Sequence, residues 1–303
     1  MDFVIIGAGS VGGYFGARLQ QAGHSVTFLV RAQRRLLLRE RGLRIESPLG
    51  NIVLNVQAET NVNSISKCDV VIVAVRNYDL DGALKNIAQL AMRGASVISL
   101  LNGVEHIERI LMEIPPTRII GGSAYIDSRL GSGGEIVHRS QLPKIALGSI
   151  QGNPASEVEL RNTASAFSDS GIKTEIMDDL FEGLWQKYLF VLLGSFTAVA
   201  ASPIGRVLAN PWCVNTLHSL LNEFSMVARS TGVQLNSSHS QIAMLELERQ
   251  PAEWTSLVYE DLLNHRRSEI ESLWGYIVKK GTENSVNIPL SIACYGVLKM
   301  KEI

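Results

Sequence analysis

The pattern of apolar and polar positions divides this chain into two parts. Up to about residue 177, apolar runs of strand length alternate with segments of helical spacing, which predicts an α/β domain. The run at residues 70–75 is continuously apolar, as is typical of a parallel strand covered by helices on both faces. Beyond residue 178 the strand pattern stops and helical spacing continues. We therefore predict an α/β domain over residues 1–177 and an all-helical domain over residues 178–303.

The predicted elements follow from these runs and from the residues that flank them. A hairpin of residues 43–45 and 51–56 is expected as an insertion in the parallel pattern. In the helical part, Asp179 is expected to cap the helix that leads into the apolar segment 188–201, and Asn210 with Pro211 begins another helix. Residues 256–281 and 289–302 also have helical spacing. The expected strands of the main sheet are 3–6, 25–30, 70–75, 95–101, 118–121, 135–138, 144–147 and 173–177.

A glycine-rich turn joins the first strand to the first helix. It has the GxGxxG pattern, and a second strand closes the unit at residues 25–30. Such glycines let the main chain turn tightly and approach a pyrophosphate, which binds at the N-terminus of the helix. This context indicates a dinucleotide site formed by Gly7, Ala8, Gly9, Ser10, Val11 and Gly12.

The residue that follows the second strand indicates which dinucleotide is bound. An NAD site usually has an acidic side chain there, whereas this chain has Arg31. A guanidinium group pairs with a 2′-phosphate, so we predict NADP(H) as the cofactor. Arg34 and Arg35 also fit a solvated basic turn.

Composition excludes several classes of function. The 303 residues contain 28 Lys+Arg against 29 Asp+Glu, so no basic field favours a nucleic-acid partner. Cys68, Cys213 and Cys294 form no CxxC pair, and we expect reduced cysteines in a cytoplasmic protein. Because Met1 leads directly into the first strand, we expect no signal peptide, and segment 188–201 is expected to be too short to cross a membrane.

Polar residues at predicted strand ends are candidates for ligand binding. Arg31, Arg76 and Asn102 each follow an apolar run, and ligands of parallel sheets bind beyond the carboxyl ends of the strands. Arg76 could also be an ordinary loop residue, and Asn102 with Gly103 also has the pattern of a turn.

The helical part contributes candidate acid–base groups. Lys187 lies at the start of a largely apolar helix, where it either extends to solvent or enters a cleft between the domains that lowers its pKa. Asp261, His265 and Glu269 are spaced by four residues, which predicts one helix face, either a solvated stripe or part of the site. No matching ligand cluster accompanies them in the sequence, so we expect no metal site.

Taken together, these motifs resemble the ketopantoate reductase (2-dehydropantoate 2-reductase) family over essentially the whole chain. The motifs are GAGSVG at residues 7–12, FLVR ending at Arg31, AVRxxD at 74–79, LNGV at 101–104, GGxxYI from 121, WxK at 185–187 and DxxxxRRxE at 261–269. The resemblance implies a Rossmann-type N-terminal domain, a helical C-terminal domain for substrate binding and dimerisation, NADPH and a 2-keto acid substrate.

The resemblance also implies roles for individual residues. Lys187 would protonate the developing alkoxide, and Glu269 would lie near the nicotinamide and the substrate. Arg31 would contact the 2′-phosphate, Arg76 stands where the family usually has lysine, and Asn102 would contact cofactor and substrate. Asp261 belongs to the same substrate-binding set.

The departures from the family pattern lie on the substrate side. Val191 and Ser195 occupy positions where the family usually has asparagines, and Leu257, with Ser256 beside it, stands where a serine is usual. Fewer hydrogen-bond donors should relax or redirect specificity.

We therefore expect NADPH-dependent reduction of a 2-keto acid by a cytoplasmic homodimer, with pantothenate biosynthesis as the family's usual context. The alternatives are a related oxidoreductase that acts on a different carbonyl or an imine, and a dinucleotide-sensing protein without turnover. Sequence alone leaves the physiological substrate, the direction of flux and the oligomeric state open.

Overall fold

The computed structural model describes residues 1–150, 156–178 and 180–302, which form two compact units. The first, called the α/β unit here, comprises Met1–Leu101 and His106–Phe181. The second, the helical unit, comprises Asn102–Glu105 and Glu182–Ile303. The predicted fold class is confirmed, with a sheet domain followed by a helical domain. In the described residues, no helix is both long and apolar enough to cross a membrane.

An eight-stranded sheet forms the centre of the α/β unit. Six strands run parallel, while β11 and β12 run antiparallel to them because β11 pairs antiparallel with β8. The order across the sheet is β12-β11-β8-β7-β6-β1-β2-β5. The strands of this sheet are β1 (Asp2–Ile6), β2 (Ser25–Leu29), β5 (Gln57–Glu59), β6 (Val70–Val73), β7 (Ser96–Ser99), β8 (Ile119–Tyr125), β11 (Lys144–Gly148) and β12 (Lys173–Met177).

A second sheet of four strands corrects one prediction. The hairpin of β3 (Leu43–Glu46) and β4 (Ile52–Leu54) is present, but it pairs with β9 (Ser128–Leu130) and β10 (Ile136–His138) rather than with the main sheet. The predicted strand 135–138 therefore exists, but its assignment to the main sheet was wrong. Its residues pair with β3 in the order β4-β3-β10-β9.

Helices cover the main sheet and bury its aromatic core. Phe3, Phe15 and Phe167 pack with ring centroids 6.0–6.3 Å apart. The segment after β2 is a helix rather than the basic turn that Arg34 and Arg35 also allowed. The helices are α1 (Ser10–Gln21), α2 (Ala32–Arg41), α3 (Leu80–Met92), α4 (Glu105–Leu111) and α5 (Glu157–Asp169).

After β12, the described residues form seven α-helices and a π-helical segment. The predicted cap of α8 is present, since Asn210 Oδ1 accepts hydrogen bonds from the N–H groups of Trp212 and Cys213 at 3.0 and 3.4 Å. The expected cap Asp179 lies outside the described residues. The helices are α6 (Leu180–Ala200), α7 (Ile204–Leu208), α8 (Pro211–Ser230), α9 (Ser237–Glu248), α10 (Leu257–Leu263), α11 (Tyr276–Glu283) and α12 (Pro289–Lys301).

The predicted continuous helix over residues 256–281 was wrong. The chain leaves the helix after Leu263, and His265 adopts a positive φ of 52°. A π-helical segment at Glu271–Gly275 then leads into α11. Asp261, His265 and Glu269 therefore do not share one helix face, because a loop interrupts the 3.6-residue period between them.

Candidate functional site

The glycine-rich turn brings three segments of backbone into close contact. Gly7 has a φ of +102°, and a Cβ added there would lie 2.7 Å from the carbonyl oxygen of Ala74. A Cβ on Gly12 would lie 2.8 Å from the Cβ of Ala74. Both positions therefore require glycine, because the turn packs against the end of β6.

Gly9 lies on the open side of the same turn. A Cβ added there would meet nothing within 4 Å, and Gly9 occupies the N-cap of α1 without a side-chain cap. No acidic residue lies in the first turn of this helix. The first N–H groups of Ser10 and Val11 are thus available to an anion. These residues fit the pyrophosphate of a dinucleotide.

The three arginines after β2 have different environments. Arg34 donates hydrogen bonds to the carbonyl oxygens of Ala8 at 3.0 Å and Gly134 at 2.9 Å, so it supports the glycine turn from behind. Arg35 donates to the carbonyl oxygen of Ala58 at 2.9 Å. Only Arg31, among the three, presents a guanidinium group that is 80% exposed.

Arg31 contacts a carboxylate from another part of the unit. Its Nη2 lies 2.5 Å from Oδ1 of Asp79, which follows β6 in the short 3₁₀ turn Asn77–Asp79. Arg76 is the half-buried N-cap residue of that turn. Both sequence-predicted cofactor residues therefore lie at the carboxyl ends of parallel strands, β2 and β6, which pair with β1 on its two sides.

In the helical unit, a turn after β7 lies against α6 and the π-helical segment. Gly103 has a φ of +79° in a bend at residues 102–104, so the chain changes direction there, as the alternative interpretation of Asn102 and Gly103 allowed. A Cβ on Gly103 would lie 3.3 Å from the carbonyl oxygen of Ser272 and 3.7 Å from the ring of Tyr188. Asn102 is thus held close to the residue that follows Lys187.

The ammonium group of Lys187 has a lowered pKa. It is half-buried, and burial lowers the pKa of its ammonium group to about 8. The charge of the buried Glu269 acts in the opposite direction and raises this pKa. The structure therefore brings together the two residues that the sequence assigned to catalysis, although 82 positions separate them in the chain.

Hydrogen bonds from α6 fix the segment that follows Glu269. The hydroxyl of Tyr188 donates to the carbonyl oxygen of Leu273, and Trp274 Nε1 donates to the hydroxyl of Ser195 at 2.6 Å. Both bonds are buried and connect the lysine-bearing helix with the π-helical segment. They stabilise the position of Glu269 relative to Lys187.

Three predicted substrate residues have distinct surroundings. Ser195 is fully buried, and its hydroxyl both donates to the carbonyl oxygen of Leu192 and accepts from Trp274. Asp261 is also buried and accepts a hydrogen bond from Arg266 Nε at 3.1 Å. Val191 remains half-buried. Their assignment to substrate binding stays a prediction.

Residues at the end of the C-terminal helix form hydrogen bonds and ion pairs with residues on both sides of Glu269. The hydroxyl of Ser268 donates to Glu302 at 2.8 Å. Lys299 pairs with both Glu271 and Glu302 at 2.7 Å. The buried carboxylate is therefore flanked by residues that the end of the chain holds in place.

Comparisons with known proteins agree with this arrangement. The family model described as "Ketopantoate reductase PanE/ApbA" matches residues 3–152, and its C-terminal counterpart matches residues 179–302. The chain belongs to the ketopantoate reductase family. Members of this family are dinucleotide-binding oxidoreductases, which fits the open glycine turn.

Relatives in the family cover nearly the whole chain. The chain is 29% identical to an uncharacterized oxidoreductase of Bacillus subtilis (strain 168), covering 100% of this chain and 99% of the relative. It is 28% identical to the 2-dehydropantoate 2-reductase of Nostoc sp., covering 98% and 94%.

Solved structures show the same fold. A ketopantoate reductase from Ralstonia eutropha JMP134 matches with a TM-score of 0.90 and 25% identity, covering 100% of this chain and 98% of the other. A D-mandelate dehydrogenase, solved with NADH and anilino(oxo)acetate, matches with a TM-score of 0.88 and 21% identity, covering 100% and 98%.

Sequence reasoning missed three features of the site. Asp79 was recognised only as part of the AVRxxD motif, and no pattern linked it to Arg31, 48 positions away. The π-helical segment was also missed, since its residues have ordinary helical spacing. The hydrogen bond between Ser195 and Trp274 was missed as well, because no sequence pattern links these two residues.

Proposed function

We propose that this oxidoreductase uses NADPH to reduce a 2-keto acid to a 2-hydroxy acid. The observation that carries the proposal is Lys187, whose pKa is lowered to about 8 by burial beside the charge of Glu269. A group with this pKa is mostly protonated at neutral pH and still releases its proton readily, which suits a general acid.

The dinucleotide would be held by residues of the α/β unit. The glycine turn and the N-terminus of α1 would bind its pyrophosphate, and the exposed guanidinium of Arg31 would pair with the 2′-phosphate. Arg76 and Asn102 would complete the contacts. When bound, the cofactor supplies the hydride for the carbonyl carbon.

Lys187 would supply the proton. Its ammonium group donates a hydrogen bond to the carbonyl oxygen and transfers the proton as negative charge develops there. The resulting neutral amine recovers a proton from solvent. Glu269 keeps the ammonium form populated, and Asn102 orients the substrate.

The half-buried Val191 favours a substrate that is more apolar than ketopantoate. Ser195 uses its hydroxyl inside the helical unit, so the positions where the family usually has two asparagines present an apolar side chain and an occupied hydroxyl. Reduction of another carbonyl compound is therefore the second candidate. The pantothenate pathway, the cytoplasm and the homodimer stay predictions.

The test is a panel of 2-keto acids assayed with NADPH and with NADH. We expect NADPH oxidation with at least one 2-keto acid, and lower kcat/KM for ketopantoate than for a bulkier apolar substrate. Absence of turnover with every carbonyl compound would refute the proposal.

Lys187→Ala should lower kcat by about 10²–10⁴-fold, the usual contribution of a positioned acid, while NADPH binding persists. Lys279→Ala is the matched control, because it removes an exposed lysine from the same unit. Equal activity of the two variants would show that Lys187 is only a helix residue.

A further inference from the structure

We propose that Asp79 is a second determinant of cofactor choice, one that opposes Arg31 and lets the site accept NAD(H) as well as NADP(H). The inference rests on the proposed function, in which Arg31 pairs with the 2′-phosphate. The observation behind it is the 2.5 Å contact between Arg31 Nη2 and Asp79 Oδ1.

The position of Asp79 follows from its contact with Arg31. In a dinucleotide-binding unit, the side chain after the second strand faces the 2′ position of the adenosine ribose. Asp79 touches that side chain from the neighbouring turn after β6, so its carboxylate lies beside the same ribose position. A carboxylate there is the group that usually binds a 2′-hydroxyl. In this chain it comes from a different strand.

The local structure shows that Asp79 is not used for helix capping. Asp79 is the N-cap residue of α3, yet its side chain accepts no capping hydrogen bond. Aspartate at this position ordinarily caps the helix through its side chain. Here the carboxylate contacts Arg31 instead, so its orientation serves the surface where the cofactor is proposed to bind.

The charges predict opposite effects on the two cofactors. A 2′-phosphate carries nearly two negative charges and is repelled by Asp79, while a 2′-hydroxyl can donate a hydrogen bond to it. Arg31 has five N–H donors and is 80% exposed, so it is able to contact a phosphate without leaving Asp79. The preference for NADP(H) in the natural protein should therefore be modest.

The experiment measures binding of NADP⁺ and NAD⁺ by calorimetry, without any substrate. Asp79→Asn should increase the ratio of NADP⁺ to NAD⁺ affinity by about five- to tenfold, as expected for removal of one charge near a doubly charged phosphate. The Asp79 side chain makes no capping bond and its pair with Arg31 is exposed, so folding should be unaffected.

Asp81→Asn is the matched control. Asp81 lies two residues on, in the first turn of α3, and makes the same kind of pair with Arg109 at 2.5 Å. The variant has the same change in net charge, and its affinity ratio should match that of the natural protein. An equal change in both variants would overturn the proposal, since it would reflect net charge alone.

The double variant Arg31→Ala/Asp79→Asn separates direct from indirect action. If Asp79 acts directly on the ribose substituent, the double variant should have a higher ratio of NADP⁺ to NAD⁺ affinity than Arg31→Ala alone. Loss of the increase would mean that Asp79 only holds Arg31, and the proposal would fail. Failure of the proposed function is distinguishable, because the natural protein would then bind neither dinucleotide or would bind them without turnover.

Discussion

At the scale of single residues, two opposing effects determine the pKa of Lys187. Burial lowers the pKa of its ammonium group to about 8, and the charge of Glu269 limits that decrease. The same pair predicts how activity depends on pH. With Lys187 as the proposed proton donor, kcat in the reducing direction should fall as pH rises through about 8.

Removing the charge of Glu269 should move this pH profile in one direction. In Glu269→Gln, burial acts on Lys187 without opposition, so the midpoint of the decrease in kcat should shift to lower pH. The measurement is kcat against pH at saturating substrate. Glu271→Gln removes a carboxylate two residues away that pairs with Lys299, and its midpoint should not move. A shift to higher pH in Glu269→Gln would contradict the assignment.

The roles of the glycines in the turn and of the residues at strand ends could be predicted from sequence, because those roles depend on neighbouring positions in the chain. For example, the positions of Gly7 and Arg31 follow from the strands that directly precede them in the chain. The contacts of Asp79 with Arg31 and of Ser195 with Trp274 could not be predicted, since in each pair the partner is distant in the chain. Only the tertiary fold brings Asp79 to Arg31 and Trp274 to Ser195.

At the scale of elements, the π-helical segment Glu271–Gly275 depends on its bonds to α6. Ser195→Ala would leave Trp274 Nε1 buried without an acceptor, which costs about 1–3 kcal/mol. We expect a lower midpoint of denaturation, measured by tryptophan fluorescence, together with a reduced kcat because the segment follows Glu269.

Ser219→Ala is the control for this substitution. Ser219 also donates its hydroxyl to a carbonyl of its own helix, that of Asn215 at 3.0 Å, but this hydrogen bond is exposed to solvent. Its stability should therefore change by less than about 0.5 kcal/mol. Equal losses in the two variants would mean that the bond from Trp274 contributes nothing.

The limits of sequence prediction are clearest in this region. Helical spacing over residues 256–281 predicted one helix, but His265 has a positive φ and ends it. Periodicity records which positions are apolar, and both a continuous helix and an interrupted one satisfy it. The hairpin of β3 and β4 was predicted for a similar local reason, while its pairing with β10 depends on contacts far along the chain.

At the scale of the whole molecule, the two units should respond differently to acid. Burial lowers the pKa of His138, which lies between the hydroxyls of Ser47 and Ser140 in the α/β unit. Its folded pKa lies below the unfolded value, so the unfolded chain binds more protons. The stability from this group is complete above about pH 6.5 and is lost as pH falls below it, by up to about 1.4 kcal/mol per pH unit.

Two probes can follow the units separately in that experiment. All four tryptophans, Trp185, Trp212, Trp254 and Trp274, belong to the helical unit, so their fluorescence reports on that unit. Hydrogen exchange of peptides from β1 and β10 reports on the α/β unit. We expect exchange there to increase between about pH 6.5 and 5, and the increase to be smaller in His138→Gln. An identical increase in the variant would exclude His138 as the cause.

The four residues Asn102–Glu105 limit how the two units can be exchanged between related proteins by recombination. They belong to the helical unit, although they are encoded within the stretch that specifies the α/β unit. A chimera joined near residue 180 would take Lys187 and Glu269 from one parent and Asn102 from the other. Recombination at this apparent boundary therefore separates residues that fold together, and a productive exchange between relatives needs to carry both segments.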